Sequence, residues 1–147
     1  MTYHKIIKSL LLSCLLVFDN DSLADDDVTW TYTLSGDEAT ITGCIATCPT
    51  ELFIPSTVDG YKVTSIGTNA FSNNQLTGVT IRYGVTTLGN AAFASNQLTS
   101  LTIPDTVIFI EENVNANNQL RSVTILDSVI SVGSDLFAIT LSSICYS

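Results

Sequence analysis

The sequence predicts a solenoid: a short right-handed stack of about four coils, with a parallel β-sheet on one face and an N-terminal β-hairpin cap. Three observations predict it. The stretches Ile66–Ile81, Leu88–Ile103 and Ile110–Ile125 are one phrase repeated at a spacing of 22 residues. Each ends on the same strand code, Leu76, Val79 and Ile81, then Leu98, Leu101 and Ile103, then Leu120, Val123 and Ile125. Ahead of them, Val28, Trp30, Tyr32 and Leu34 alternate strictly with threonines. A fixed period near 22 means coils that bury their apolar faces only by stacking on one another, and such a stack needs its first coil covered.

Within each coil the last two apolar residues of the code point inward with one residue outward between them, which is strand alternation. Further apolar positions recur at Val85, Val107 and Val129, at Leu88, Ile110 and Val132, and at Phe71, Phe93 and Phe137. A coil with inward residues on several sides closes around its own core. The side opposite the sheet, around Ala70-Phe71 and Ala92-Phe93, should be short turns of helix or irregular loop. Asn74, Asn96 and Asn118 also fall in register. They form either a buried ladder whose amides bond the backbone at the tight bend, or a row of exposed turn residues. A fourth copy begins at Val132 and closes one residue early, placing Leu141, Ile144 and Tyr146 in the apolar slots.

The strand code at this period is the leucine-rich-repeat signature. With Gly67, Ala70, Phe71, Asn74, Leu76, Val79 and Ile81 all fitting at once, the phrase resembles the BspA-like leucine-rich repeats of bacterial surface proteins, from about Leu52 to Tyr146. The resemblance implies a leucine-rich-repeat solenoid over 52–147 and a role in adhesion or in host and matrix contact. Coil three departs from it: Glu111 stands for the glycine and Asn115 for the phenylalanine, so this coil is expected to be the looser one.

Before the coils, residues 1–24 read as a signal peptide. Lys5 and Lys8 precede a short apolar run from Leu10 to Phe18, and Ser22-Leu23-Ala24 offers small residues for cleavage. The run is too short to span a membrane, and its continuation past Cys14 argues against a lipid-modification site. Residues 25–51 form the cap. Val28–Leu34 and Ala39–Gly43 make a hairpin about Ser35–Glu38, with Trp30 as the plug against the first coil. Cys44 and Cys48 in an exported chain read as a disulfide ahead of free thiols or a metal. Leu52–Ile54 is a degenerate first strand, followed by an inserted bulge with a turn at Asp59-Gly60.

The formal charge is −9, and beyond residue 24 only Lys62, Arg82 and Arg121 stand against twelve carboxylates. That excludes a basic groove for nucleic acid. The one histidine, His4, lies in the targeting segment, so no serine or cysteine has an imidazole base. No glycine-rich loop leads into a helix. Glu111 with Glu112, and Asp105 with Asp127, are the carboxylates that pair, and such pairs are more often solvated turn residues than cation sites. The chain is thus expected to be no enzyme, with no cofactor and no metal.

What remains is a surface. Thr80, Thr102 and Thr124 point out between the buried residues of successive strands, flanked by Ser100, Ser122 and Arg121. This hydroxyl face is the candidate binding face, for a protein or glycan ligand at the cell surface. At about 320 Å² of strand spacing and rise, it is small beside the ~800 Å² of a standard partner surface. A structural, self-assembling envelope module is the alternative, and an ice- or mineral-binding threonine row a third. Cys145 falls in the outward slot of Thr80, so a dimer through it or through the last strand is expected, unless the chain is a fragment of a longer array.

Overall fold

The structure, a computed structural model, describes residues 28–125, 127–134 and 144–146. The expected signal peptide at 1–24 and the Phe137 and Leu141 slots lie outside the described residues. The hairpin forms as its alternation dictates. β1 (Trp30–Ser35) and β2 (Glu38–Cys44) pair antiparallel about Gly36, at φ +62°, a left-handed conformation glycine adopts without strain. A bulge between Thr31 and Tyr32 shifts the register.

The chain then winds. β3 (Glu51–Ile54), β4 (Thr57–Val58) and β5 (Tyr61–Ile66) follow, with β4 folded antiparallel onto β5 around Asp59-Gly60. The 22-residue periods next supply β6 (Gly78–Ile81) and β7 (Thr87–Leu88), β8 (Ser100–Thr102) and β9 (Phe109–Ile110), then β10 (Ser122–Ile125) and β11 (Ser131–Val132), with β12 (Ile144–Tyr146) beyond. One five-stranded sheet runs β3-β6-β8-β10-β12, every pair parallel. A second sheet runs β1-β2-β5-β7-β9-β11, with β4 on its flank.

A second sheet stands beside the expected one, and the side around Ala70-Phe71 and Ala92-Phe93 is turn, as expected. β7 and β9 are two residues long and, with the end of β5, set the inward column Ile66, Leu88 and Ile110, all at most 2% exposed; Val132 of β11, expected to continue the column, is 45% exposed. The third side of each coil is turn, with no helix among the described residues. It too is bonded from coil to coil. The N–H groups of Asn69, Phe71 and Asn73 donate to the carbonyls of Asn90, Ala92 and Ala94 at 2.9, 2.8 and 3.1 Å. Those of Ala91, Phe93 and Ser95 repeat this on Glu112, Val114 and Ala116 at 3.0, 2.9 and 2.8 Å. The geometry requires positive φ twice per coil, at Asn69, Ala91 and Asn113 and at Asn73, Ser95 and Asn117. Asparagine tolerates that region best among residues with a side chain, which accounts for its frequency here.

The cap meets the stack as a coil would. Ile41 of β2 pairs with Ile66 and is fully buried at the foot of the same column. Gly67 N–H donates to Ile41 O at 2.8 Å, as Gly89 N–H does to Ile66 O at 2.9 Å. Trp30 is the plug: its ring meets Phe71 edge-on, centroids 6.0 Å apart. The Cys44–Cys48 disulfide forms, Cα to Cα 5.6 Å, just before the first strand of the five-stranded sheet.

Coil three keeps its place without its glycine. A methyl group on Gly89 would lie 2.7 Å from Ile66 O, and one on Gly133 2.6 Å from the Glu111 carbonyl carbon, so tight apposition excludes side chains there. Glu111 stands in the equivalent position and still donates its N–H to Leu88 O at 2.9 Å. Its carboxylate reaches back to accept from Asn90 N–H at 2.7 Å. The backbone spine is therefore continuous, and the expected looseness of the coil reduces to Asn115. That side chain is 4% exposed, inward, and without a hydrogen-bond partner on either amide atom among the described residues.

Candidate functional site

The outer face of the five-stranded sheet is built by register. Strand alternation buries Val79 and Ile81, Leu101 and Ile103, which forces the residue between each pair outward. Thr80 pairs with Thr102, Thr102 with Thr124, and Thr124 with Cys145. Ser100 pairs with Ser122 in the neighbouring rank. Thr80, Ser100, Thr102 and Arg121 are exposed. Ser122, Thr124 and Cys145 are placed in this register by their backbone. The sequence-predicted face is thus brought together on one sheet.

Phe53 was not legible as part of it. It pairs with Thr80 at the head of the threonine column and is 38% exposed. The signal was present: Leu52 and Ile54 are buried on either side of it, so Phe53 must face out. The degenerate, proline-terminated coil hid the alternation. Beside it Glu51 lies across Gly78, where any side chain would run into its carboxylate. Thr77 Oγ1 donates to Glu51 Oε1 at 2.7 Å. The face therefore changes along its length, from an aromatic ring and a tethered carboxylate at β3 to small hydroxyls at Thr80, Ser100 and Thr102.

The Asn ladder lies behind one edge of this face. Asn96 Oδ1 accepts from the N–H groups of Asn74 and Leu76 at 2.9 and 3.0 Å. Its Nδ2 donates to the carbonyls of Phe71, Phe93 and Ala94 at 2.8, 2.9 and 3.2 Å. Asn118 repeats the pattern on Leu98 N–H and on the Phe93, Asn115 and Ala116 carbonyls. Each amide so fastens the start of the preceding coil's strand segment to its own bend.

The face offers little for chemistry beyond contact. Among the described residues no group of three or more histidine, cysteine or acidic side chains gathers as a metal site. Asp105 and Asp127 are both exposed in turns. Among the described residues the one strongly shifted group lies elsewhere, on the cap. Tyr32 donates its hydroxyl to Asp59 Oδ2 at 2.6 Å, and this bond, with burial and the carboxylate's charge, pushes its pKa up to about 12. Among the described residues no helix is long and apolar enough to cross a membrane.

A parallel five-stranded sheet, a second sheet parallel from coil to coil, an asparagine ladder and a 22-residue period together define a leucine-rich-repeat protein. The BspA type leucine rich repeat region matches residues 47–144 in six copies, and the chain belongs to that family. Its fold is similar to the crystal structure of a leucine-rich repeat protein from Bacteroides capillosus, 26% identical, with a TM-score of 0.64 over 80% of this chain and 94% of that one. It is also similar to the T. pallidum leucine rich repeat protein, at 21% identity and a TM-score of 0.63, covering 78% of this chain and 67% of that one. The pneumococcal vaccine antigen PcpA shares the fold at 14% identity and a TM-score of 0.62, over 85% of this chain and 38% of that one. Among curated proteins none matches the sequence significantly.

Proposed function

We propose that the protein is a non-catalytic binding module, secreted or held at the cell surface, that takes a protein or glycan ligand on the outer face of its five-stranded sheet. The observation that carries this is the outward column Phe53, Thr80 and Thr102, with Thr124 paired to Thr102 in backbone register and Ser100 paired with Ser122 beside it. No packing requirement selects hydroxyls at these outward places, and a flat hydroxyl rank headed by a ring combines hydrogen-bonding groups with an apolar platform. Family membership supports export and surface display. The small area makes a weak site, strengthened by multivalent display.

The test is Thr102→Arg, which raises a long charged side chain from the middle of the face. Binding to a panel of immobilised matrix glycoproteins and glycans should be lost, while the melting temperature stays nearly unchanged, because exposed substitutions usually cost less than ~0.5 kcal/mol. Thr33→Arg on the exposed side of the cap should leave binding intact. Retained binding in Thr102→Arg would move the ligand off this face. Equal loss in both variants would mean a diffuse charge effect. Absence of any ligand together with concentration-dependent association would favour the self-assembling alternative.

A further inference from the structure

The coil that departs from the repeat also shapes the opposite sheet. Outward on the second sheet, Ser65, Thr87, Phe109 and Ser131 share one register column. Phe109 is 48% exposed and stands between two small hydroxyl residues. Around its foot lies a cleft of about 550 Å³, lined by Thr87, Asn90, Phe109, Glu111, Glu112 and Ser131 among others. That volume falls in the range of small-ligand sites. Both acidic residues stand where the repeat would place Gly and a small polar residue, as in Gly67-Thr68 and Gly89-Asn90. Glu111 is held by Asn90 N–H, whereas the Glu112 side chain is exposed and makes no hydrogen bond or ion pair among the described residues. No lysine, arginine or histidine lines the cleft.

We propose that this cleft docks a short extended peptide segment carrying an arginine or lysine next to an apolar side chain. Charge complementarity sets the occupant. A cation seated over the Phe109 ring gains from the ring's negative face, and Glu112 lies at the lip to pair with it. The apolar neighbour covers the remaining ring surface. Two carboxylates, one of them already engaged, are too few ligands for a dedicated divalent-cation cage. The site is independent of the threonine face, which lies on the other sheet.

The experiment uses the full chain and a fluorescein-labelled Gly-Leu-Arg-Leu-Arg-Gly peptide, followed by anisotropy at physiological salt, with the same peptide carrying Gln for Arg as its control. The arginine peptide should bind, and the glutamine peptide should bind at least about fivefold more weakly. Glu112→Gln and Phe109→Ala should each weaken the arginine peptide by about fivefold. Asp127→Asn, an exposed carboxylate that does not line the cleft, and Thr102→Arg should leave it unchanged. Equal weakening by Asp127→Asn would assign the binding to the general field of an acidic chain and overturn the proposal. So would equal binding of the two peptides, absence of binding, or a dimer in sedimentation that Phe109→Ala dissolves. The Glu112→Gln result decides the matter even if Phe109→Ala melts early.

Discussion

The ring of Phe71 lies flat against that of Phe93, centroids 5.8 Å apart and planes 7° from parallel. The next side chain in the same file is Asn115, whose two amide atoms are buried and unpartnered among the described residues. An unsatisfied buried polar group costs about 1–3 kcal/mol, and a ring in its place would restore apolar burial. Asn115→Phe should therefore stabilise the protein by roughly 1–2 kcal/mol in chemical denaturation. A variant that unfolds more readily would show that the backbone has closed around the smaller side chain.

The ladder gives a second, graded prediction. Asn96→Ala removes the acceptor of two backbone N–H groups and the donor to three carbonyls. Leaving those groups buried without partners should cost about 3 kcal/mol or more. Asn74 makes one local side-chain bond, to Ser72 O, so Asn74→Ala should cost about 1 kcal/mol. Equal losses would mean that the bond between coils is not what makes the amide matter.

Tyr32 gives a pH prediction. Its folded pKa, about 12, lies above the ordinary 10.0. The folded state thus holds this proton more tightly than the unfolded chain, and the associated stability is present in full below pH 10. It falls away as pH rises from there to about 12. Spectrophotometric titration should show a late-ionising tyrosine that disappears in Tyr32→Phe. In Asp59→Asn it should move back toward 10.0, because the bond to the carboxylate is the largest cause of the shift.

Much of this fold was legible because two periods reinforce each other. Val79, Thr80 and Ile81 alternate as a strand, and the same three positions recur 22 residues on, so both strand and register follow from the sequence. The second sheet was not legible. Thr87–Leu88, Phe109–Ile110 and Ser131–Val132 are too short to alternate visibly, Phe109 is apolar yet faces out, and Val132 is itself exposed. The asparagine ladder could be read from spacing alone, as one of two options. The Phe109 cleft could not, because it is made where three consecutive coils meet, and each coil alone looks like ordinary turn and strand.

Ile41 occupies the column that Ile66, Leu88 and Ile110 continue, and its carbonyl accepts the N–H of Gly67 above it, as those of Ile66, Leu88 and Ile110 accept from Gly89, Glu111 and Gly133. The hairpin therefore meets the second sheet as a coil would, while the five-stranded sheet begins at β3. This backbone bond recurs at each joint above the cap, so nothing in it dictates how many turns rest on the hairpin. Gain or loss of one whole 22-residue unit would replace one such joint with another and change the outer face of the five-stranded sheet by a single strand spacing, about 4.8 Å. Length in this architecture is an adjustable dimension: the reach of the surface can drift between relatives while its cross-section stays fixed.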